Sequence, residues 1–290
     1  MFDLPVAQVP SDLPALQEAI EASVRRRVKA PDRRAVTLTT MTLDIELTGA
    51  TVEIEPADTS NLQPPKLVGE PLETTSVAEL SVVGQPLTLQ TPDGVSVPVS
   101  LEVRGANVHF AIGKSERPGE LAMVPTRGEF SVLASVLESD LMPMVRSQAE
   151  VAAAEKGVKL KTFEVDVDCP SPRAVELSGR VAGEKKIAFF NAPFEINFDA
   201  AVTIEPAEHG LQGRFTKLDV HGESTVVSAI LALVKPKIEA IKAEPIDINQ
   251  LLAVAGVQGL EVGDVGVEVT GEGATRRVSM RADLHGRATA

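Results

Sequence analysis

The chain has 290 residues, 43% hydrophobic and 24% charged, a globular composition with material for one large domain or two ordinary ones. A net charge of −13, with no Trp, no Tyr and nine Phe, argues against nucleic acid, whose phosphates would be repelled and whose bases would find few rings to stack on. Cys169 is the single cysteine, so no disulfide framework forms within the chain.

The first residues, "MFDLPVAQVPSDLP", lack the basic start and apolar centre of a signal peptide, and no stretch reaches the length of a membrane span. The expected location is therefore cytoplasmic. Next, "SDLPALQEAIEASVRRRVKA" (11–30) sets Leu13, Leu16, Ile20, Val24 and Val28 at helical spacing, with Ser11 or Asp12 as the cap. At its end Arg25, Arg26, Arg27, Lys29, Arg33 and Arg34 make the one strong basic cluster. Such cations suit the anionic headgroups of a peripherally contacted membrane, at about 1 kcal/mol each. They equally suit the negative end of a helix dipole.

Residues 36–55, "VTLTTMTLDIELTGATVEIE", alternate as strand, and the Pro- and Thr-rich stretch 56–75 reads as a loop or crossing segment. Beyond it the chain repeats itself. Placing Pro143 of "SVLASVLESDLMPMV" over Pro236 of "STVVSAILALVKPKI" matches Ser131 with Ser224, Ser135 with Ser228, Leu137 with Ile230 and Val145 with Ile238. Alternating strands precede and follow both, "GVKLKTFEVDVD" answering "GLEVGDVGVEVT". The segments 97–182 and 193–287 thus read as two strands–helix–strands units. The expected division is 1–182, a helix–strand half-unit plus the first repeat, and 183–290, the second repeat. The fold class expected is α+β: long amphipathic helices, about 30–40 Å each, wrapped by curved antiparallel sheets solvated on one face.

The paired helices with matched prolines, the flanking strands and "LVKPKIEAIKAEPIDINQLL" (233–252) together resemble the tubular lipid-binding superfamily. That superfamily includes the bactericidal/permeability-increasing proteins and the synaptotagmin-like lipid-binding domains. The likeness covers 97–287 well and 11–55 loosely; the family's disulfide and secretion signal are missing. It implies an elongated BPI-like roll and non-enzymatic binding or transfer of lipid, or another hydrophobic ligand, in a groove between helix and sheet, without a cofactor. The groove candidates are Leu16, Ile20 and Val24; Leu133, Val136, Leu137 and Leu141; and Val227, Ile230, Leu231, Val234 and Ile238. A helix sandwiched in a packed core explains the same apolar stripes.

In "IAFFNAPFEINF" (187–198), Phe194, Ile196 and Phe198 alternate inward. Phe189 and Phe190 cannot both do so, which makes one of them a groove-mouth residue or an inter-unit contact. The histidines lack metal-ligand spacing, "VHGES" lacks the nucleophile-elbow pattern, and "GEGATRR" reads as a hairpin turn. An enzyme is therefore not expected. The alternative to a carrier is a structural or assembly protein with a solid core, an acidic docking surface and a stable homo-oligomeric state.

Overall fold

The computed structural model describes residues 1–29, 31, 33–53, 66–91, 94–187, 190–207, 210–222, 246–247 and 260–286. The chain divides into two compact units. One comprises Met1–Val136, Asn249–Asp264 and Met280–Ala290; the other comprises Leu137–Ile248 and Val265–Ser279. Residues 182 and 183, the expected boundary, are neighbours inside one strand of the second unit, Ala174–Ile187.

The first unit packs one helix on a large sheet. Helix α1, Leu13–Arg27, starts where the Asp12 carboxylate accepts from the Ala15 amide at 2.9 Å, with proline in the first turn. It buries Leu16, Ala19, Ile20, Ser23 and Val24, the i, i+3, i+4, i+7, i+8 stripe that faces a core. The sheet order is β13-β14-β7-β6-β5-β3-β2, with β1 paired to β7 and β4 to β5. Here β1 is Phe2–Leu4, β2 Val36–Leu38, β3 Thr42–Glu46, β4 Thr51–Glu53 and β5 Glu73–Gln90. Strand β6 is Ser96–Lys114, β7 Leu121–Leu137, β13 Leu260–Thr270 and β14 Arg277–Gly286, the last three giving residues to both units.

Two helix side chains close the β2 edge. Glu21 accepts from the amides of Ala35 at 2.9 Å and Val36 at 2.7 Å, and Gln17 accepts from Leu38 at 2.9 Å. A strand edge left with unpaired amides beside a core is costly and invites pairing with other chains. Replacing Glu21 with Ala is expected to cost about 2 kcal/mol, because two part-buried amides lose their acceptor. Urea unfolding checks this, with Glu21→Gln, which keeps one acceptor oxygen, falling between the two.

The second unit is an antiparallel five-stranded sheet in the order β12-β11-β10-β9-β8. The strands are β8 Val158–Ser171, β9 Ala174–Ile187, β10 Phe190–Ala207, β11 Gly210–His221 and β12 Ile246–Asp247. Register places Val165, Gly179, Phe198 and Val220 in one row, and Val167, Leu177, Ala200 and Leu218 in another. The alternate rows, such as Asp166, Ser178, Asp199 and Asp219, are polar, the pattern of a sheet with one apolar face. Phe198 lies against Gly179, where an added Cβ would sit 2.7 Å from the ring and 2.3 Å from the Glu164 carbonyl oxygen. Gly179→Ala is therefore expected to force β8 and β9 apart and lower the melting temperature by several degrees, measured by circular dichroism.

Helix α2, Glu138–Glu155, lies beside β8, and none of its described residues is fully buried. Turn residues Gly271 and Gly273 hold left-handed backbone (φ 81° and 55°) in the β13–β14 connection, as "GEGATRR" anticipates.

These elements overturn the expected fold class. The chain is mostly β: the described residues hold two α-helices, of 15 and 18 residues, against strands of up to 19 residues. The α+β arrangement of long helices wrapped by sheets is not what forms. Its largest error is at 131–137, expected to be helical, which is the end of strand β7 and in which Ser131–Val136 pair with Val99–Arg104 of β6. With period two, Val132, Ala134 and Val136 fall on one face and Ser131, Leu133 and Ser135 on the other, while the four-residue recurrence of Ser and Val fits a helix equally, and a short run of this kind fits either period until a partner strand settles it. The helix begins only at Glu138, with Pro143 inside it. The BPI-like helix-wrapped roll, and the lipid-binding and lipid-transport reading drawn from that roll, are corrected with it. The expected helix at 224–241 lies outside the described residues.

Candidate functional site

Strand alternation gives the first unit's sheet two unlike faces. On the face that α1 covers, Val82, Val103 and Val132 stand side by side, since Val82 pairs with Val103 and Val103 with Val132. All three are only half-buried although they occupy neighbouring inner strands. A cavity of about 380 Å³ lies in front of them. Val24 of α1, Ile45 of β3, Leu80 of β5, Phe110 of β6, Phe130 of β7 and Leu284 of β14 complete most of its wall. Its polar side chains are Ser23 and Arg27. Such a cavity, apolar with a few polar groups and above about 300 Å³, has the dimensions of a small-molecule site.

Of the groove candidates, Val24 lines this cavity, while Leu16 and Ile20 are buried in the core beneath α1. Leu133 points the other way and is 46% exposed, because it alternates with Val132 on β7. Val136 shares the Val132 face, Leu137 ends β7, and Leu141 is half-buried in α2; the cavity is lined by none of these three. Val227, Ile230, Leu231, Val234, Ile238 and Phe189 lie outside the described residues, as does the side chain of Phe190. Phe194 is buried and Phe198 half-buried, in keeping with inward alternation. The cavity valines on β5 and β6 carry no signal in the sequence because each sits in an ordinary alternating strand; only register brings them together.

Five members of the basic cluster are paired within the protein. Arg25 bonds Glu21 at 2.6 Å, Arg26 bonds Glu120 at 2.7 Å, Arg27 bonds Asp3 at 2.7 Å, Lys29 pairs with Glu53, and Arg33 lies 3.7 Å from Glu46. Hydrogen bonds from the Thr48 side chain and amide, with Arg33 nearby, hold the Glu46 carboxyl below the usual range. Arg34 is exposed.

The opposite face of the same sheet carries a polar groove of about 900 Å³. Asp44, Glu79, Glu129, Asp264 and Asp283 line it, with Arg104 and His285. Among the described residues no group of three or more His, Cys, Asp or Glu is placed to hold a metal ion. Burial and the neighbouring Asp168 carboxylate push the Cys169 thiol up, away from the reactive thiolate. No helix among the described residues is long and apolar enough to cross a membrane.

Compared with known proteins, the chain matches no family model, and it has no significant match to a curated protein or to a solved structure.

Proposed function

We propose that the first unit binds a hydrophobic small molecule in the cavity between α1 and the sheet, without catalysing a reaction. The observation that carries this reading is the row Val82–Val103–Val132: inward-facing valines on adjacent inner strands, half-buried because a cavity faces them. Each methylene moved from water into such a site contributes about 0.8 kcal/mol, so ten supply about 8 kcal/mol before the costs of immobilising the ligand. Shape and apolar area suffice for affinity; no polar motif is needed.

The test is titration with N-phenyl-1-naphthylamine, a neutral apolar fluorophore. Saturable uptake of one molecule per chain is the expected result, and absence of uptake contradicts the reading. A second reading, an assembly protein that docks a basic partner, is favoured by the acidic groove on the opposite face, where five carboxylates line one depression. It predicts no uptake of the fluorophore and a stable oligomer by light scattering.

A further inference from the structure

This inference rests on the cavity reading above and concerns the cavity's polar end. Asp3, on β1, is a buried carboxylate whose side chain is 6% exposed. Arg27 donates to its Oδ2 at 2.7 Å, the Arg117 guanidinium lies 3.4 Å from the same oxygen, and the Ser115 hydroxyl donates to Oδ1 at 3.4 Å. One buried carboxylate is thus bracketed by two guanidiniums, and one of these, Arg27, belongs to the wall of an otherwise apolar cavity.

A guanidinium is a planar fork of five donors and serves more than one acceptor, carboxylates and sulfonates best of all. Apart from the Ser23 hydroxyl, the remaining side chains of the wall are apolar and penalise a charge placed against them, since an unpaired ion there is strongly unfavourable. The overall charge of −13 does not forbid an anion here, because exposed charges are screened beyond about 8 Å at physiological salt. We propose that the cavity takes an apolar molecule bearing one anionic group, that Arg27 pairs with that group, and that Asp3 holds Arg27 in position as its internal counter-ion.

Two fluorophores with one apolar body test this: neutral N-phenyl-1-naphthylamine and its sulfonated analogue, 1-anilinonaphthalene-8-sulfonate. The folded protein is expected to bind the sulfonate about tenfold more tightly, the scale of one charge-assisted contact. Arg27→Gln should bring the ratio of the two affinities to about one, that ratio and not the affinity for either probe alone being the readout. Because Arg27→Gln also deprives Asp3 of a partner, Asp3→Asn provides an independent measurement. Its amide oxygen still accepts from Arg27, and loss of the competing carboxylate should raise sulfonate affinity further. Melting curves establish that each variant is folded. Equal affinity for the two probes in the unmodified protein, or a preference that survives Arg27→Gln, overturns the inference and leaves the cavity reading standing. Failure to bind the neutral probe overturns the cavity reading and this inference with it.

Discussion

Val103→Trp is expected to abolish uptake of N-phenyl-1-naphthylamine, weakening it at least tenfold, while the protein stays folded. Val103 stands at the middle of the valine row and its side chain projects into the cavity of about 380 Å³. An indole there occupies the space a ligand would take. In a filled core, adding so many atoms costs about 1–3 kcal/mol through forced rotamers and backbone shifts. In front of an open cavity the indole instead gains contacts, so the melting temperature should stay the same or rise. Leu133→Trp is the control: it alternates onto the other face, is already 46% exposed, and should leave uptake unchanged. A large fall in melting temperature for Val103→Trp would mean that the space is filled, which is what the assembly reading requires.

The largest effect on stability is expected at Arg276. This side chain, 23% exposed, lies just after the turn Gly273–Thr275 and joins three elements of the second unit. Its guanidinium bonds Asp166 and the Val167 carbonyl oxygen of β8 and lies 3.3 Å from Glu138, the first residue of α2. Its own carbonyl accepts from the Glu138 amide at 2.9 Å, one of the first-turn amides that a helix leaves without an internal partner. Glu138 also places a carboxylate at the positive end of α2. Arg276→Ala removes the side-chain bonds together and leaves the Glu138 carboxylate, 15% exposed, without that cation. A loss of about 2–3 kcal/mol is expected, tempered because Asp166 is itself mostly exposed. Arg276→Lys keeps the charge but not the fork, and should recover less than half. Urea unfolding followed by circular dichroism measures both, and probe uptake by the first unit should not change.

What the sequence makes legible differs by element for physical reasons. Helix α1 is readable because its stripe, its Asp12 cap and its basic last turn agree. The strands around 36–53, 96–112, 158–168 and 260–270 are readable because apolar and polar residues alternate along most of each, with the phase slipping where a strand breaks or bulges, and the turn at 271–277 because glycines mark it. Residues 131–137 are not, since "SVLASVL" satisfies both periods and its strand partner lies more than 20 residues upstream, beyond any local window. The helix expected from residue 131 therefore begins only at Glu138, and the α+β fold class that counted 131–137 as helix falls with it. Of the site, Val24 could be singled out, but not Val82, Val103 and Val132. Their meeting depends on the β5–β6–β7 register, which alternation within each strand does not specify. The role of Asp3 was equally hidden: an acidic residue near the start of the chain acquires meaning only once β1 pairs with β7 and brings it to Arg27.

The most direct measurement of the central claim is methyl-resolved NMR during titration with N-phenyl-1-naphthylamine. Saturable shifts in the methyls of Val24, Val82, Val103 and Val132, with Leu133 on the opposite face unmoved, are the predicted result. Shifts confined to exposed side chains such as Leu133 and Val151, or no shifts at saturating probe, would contradict it.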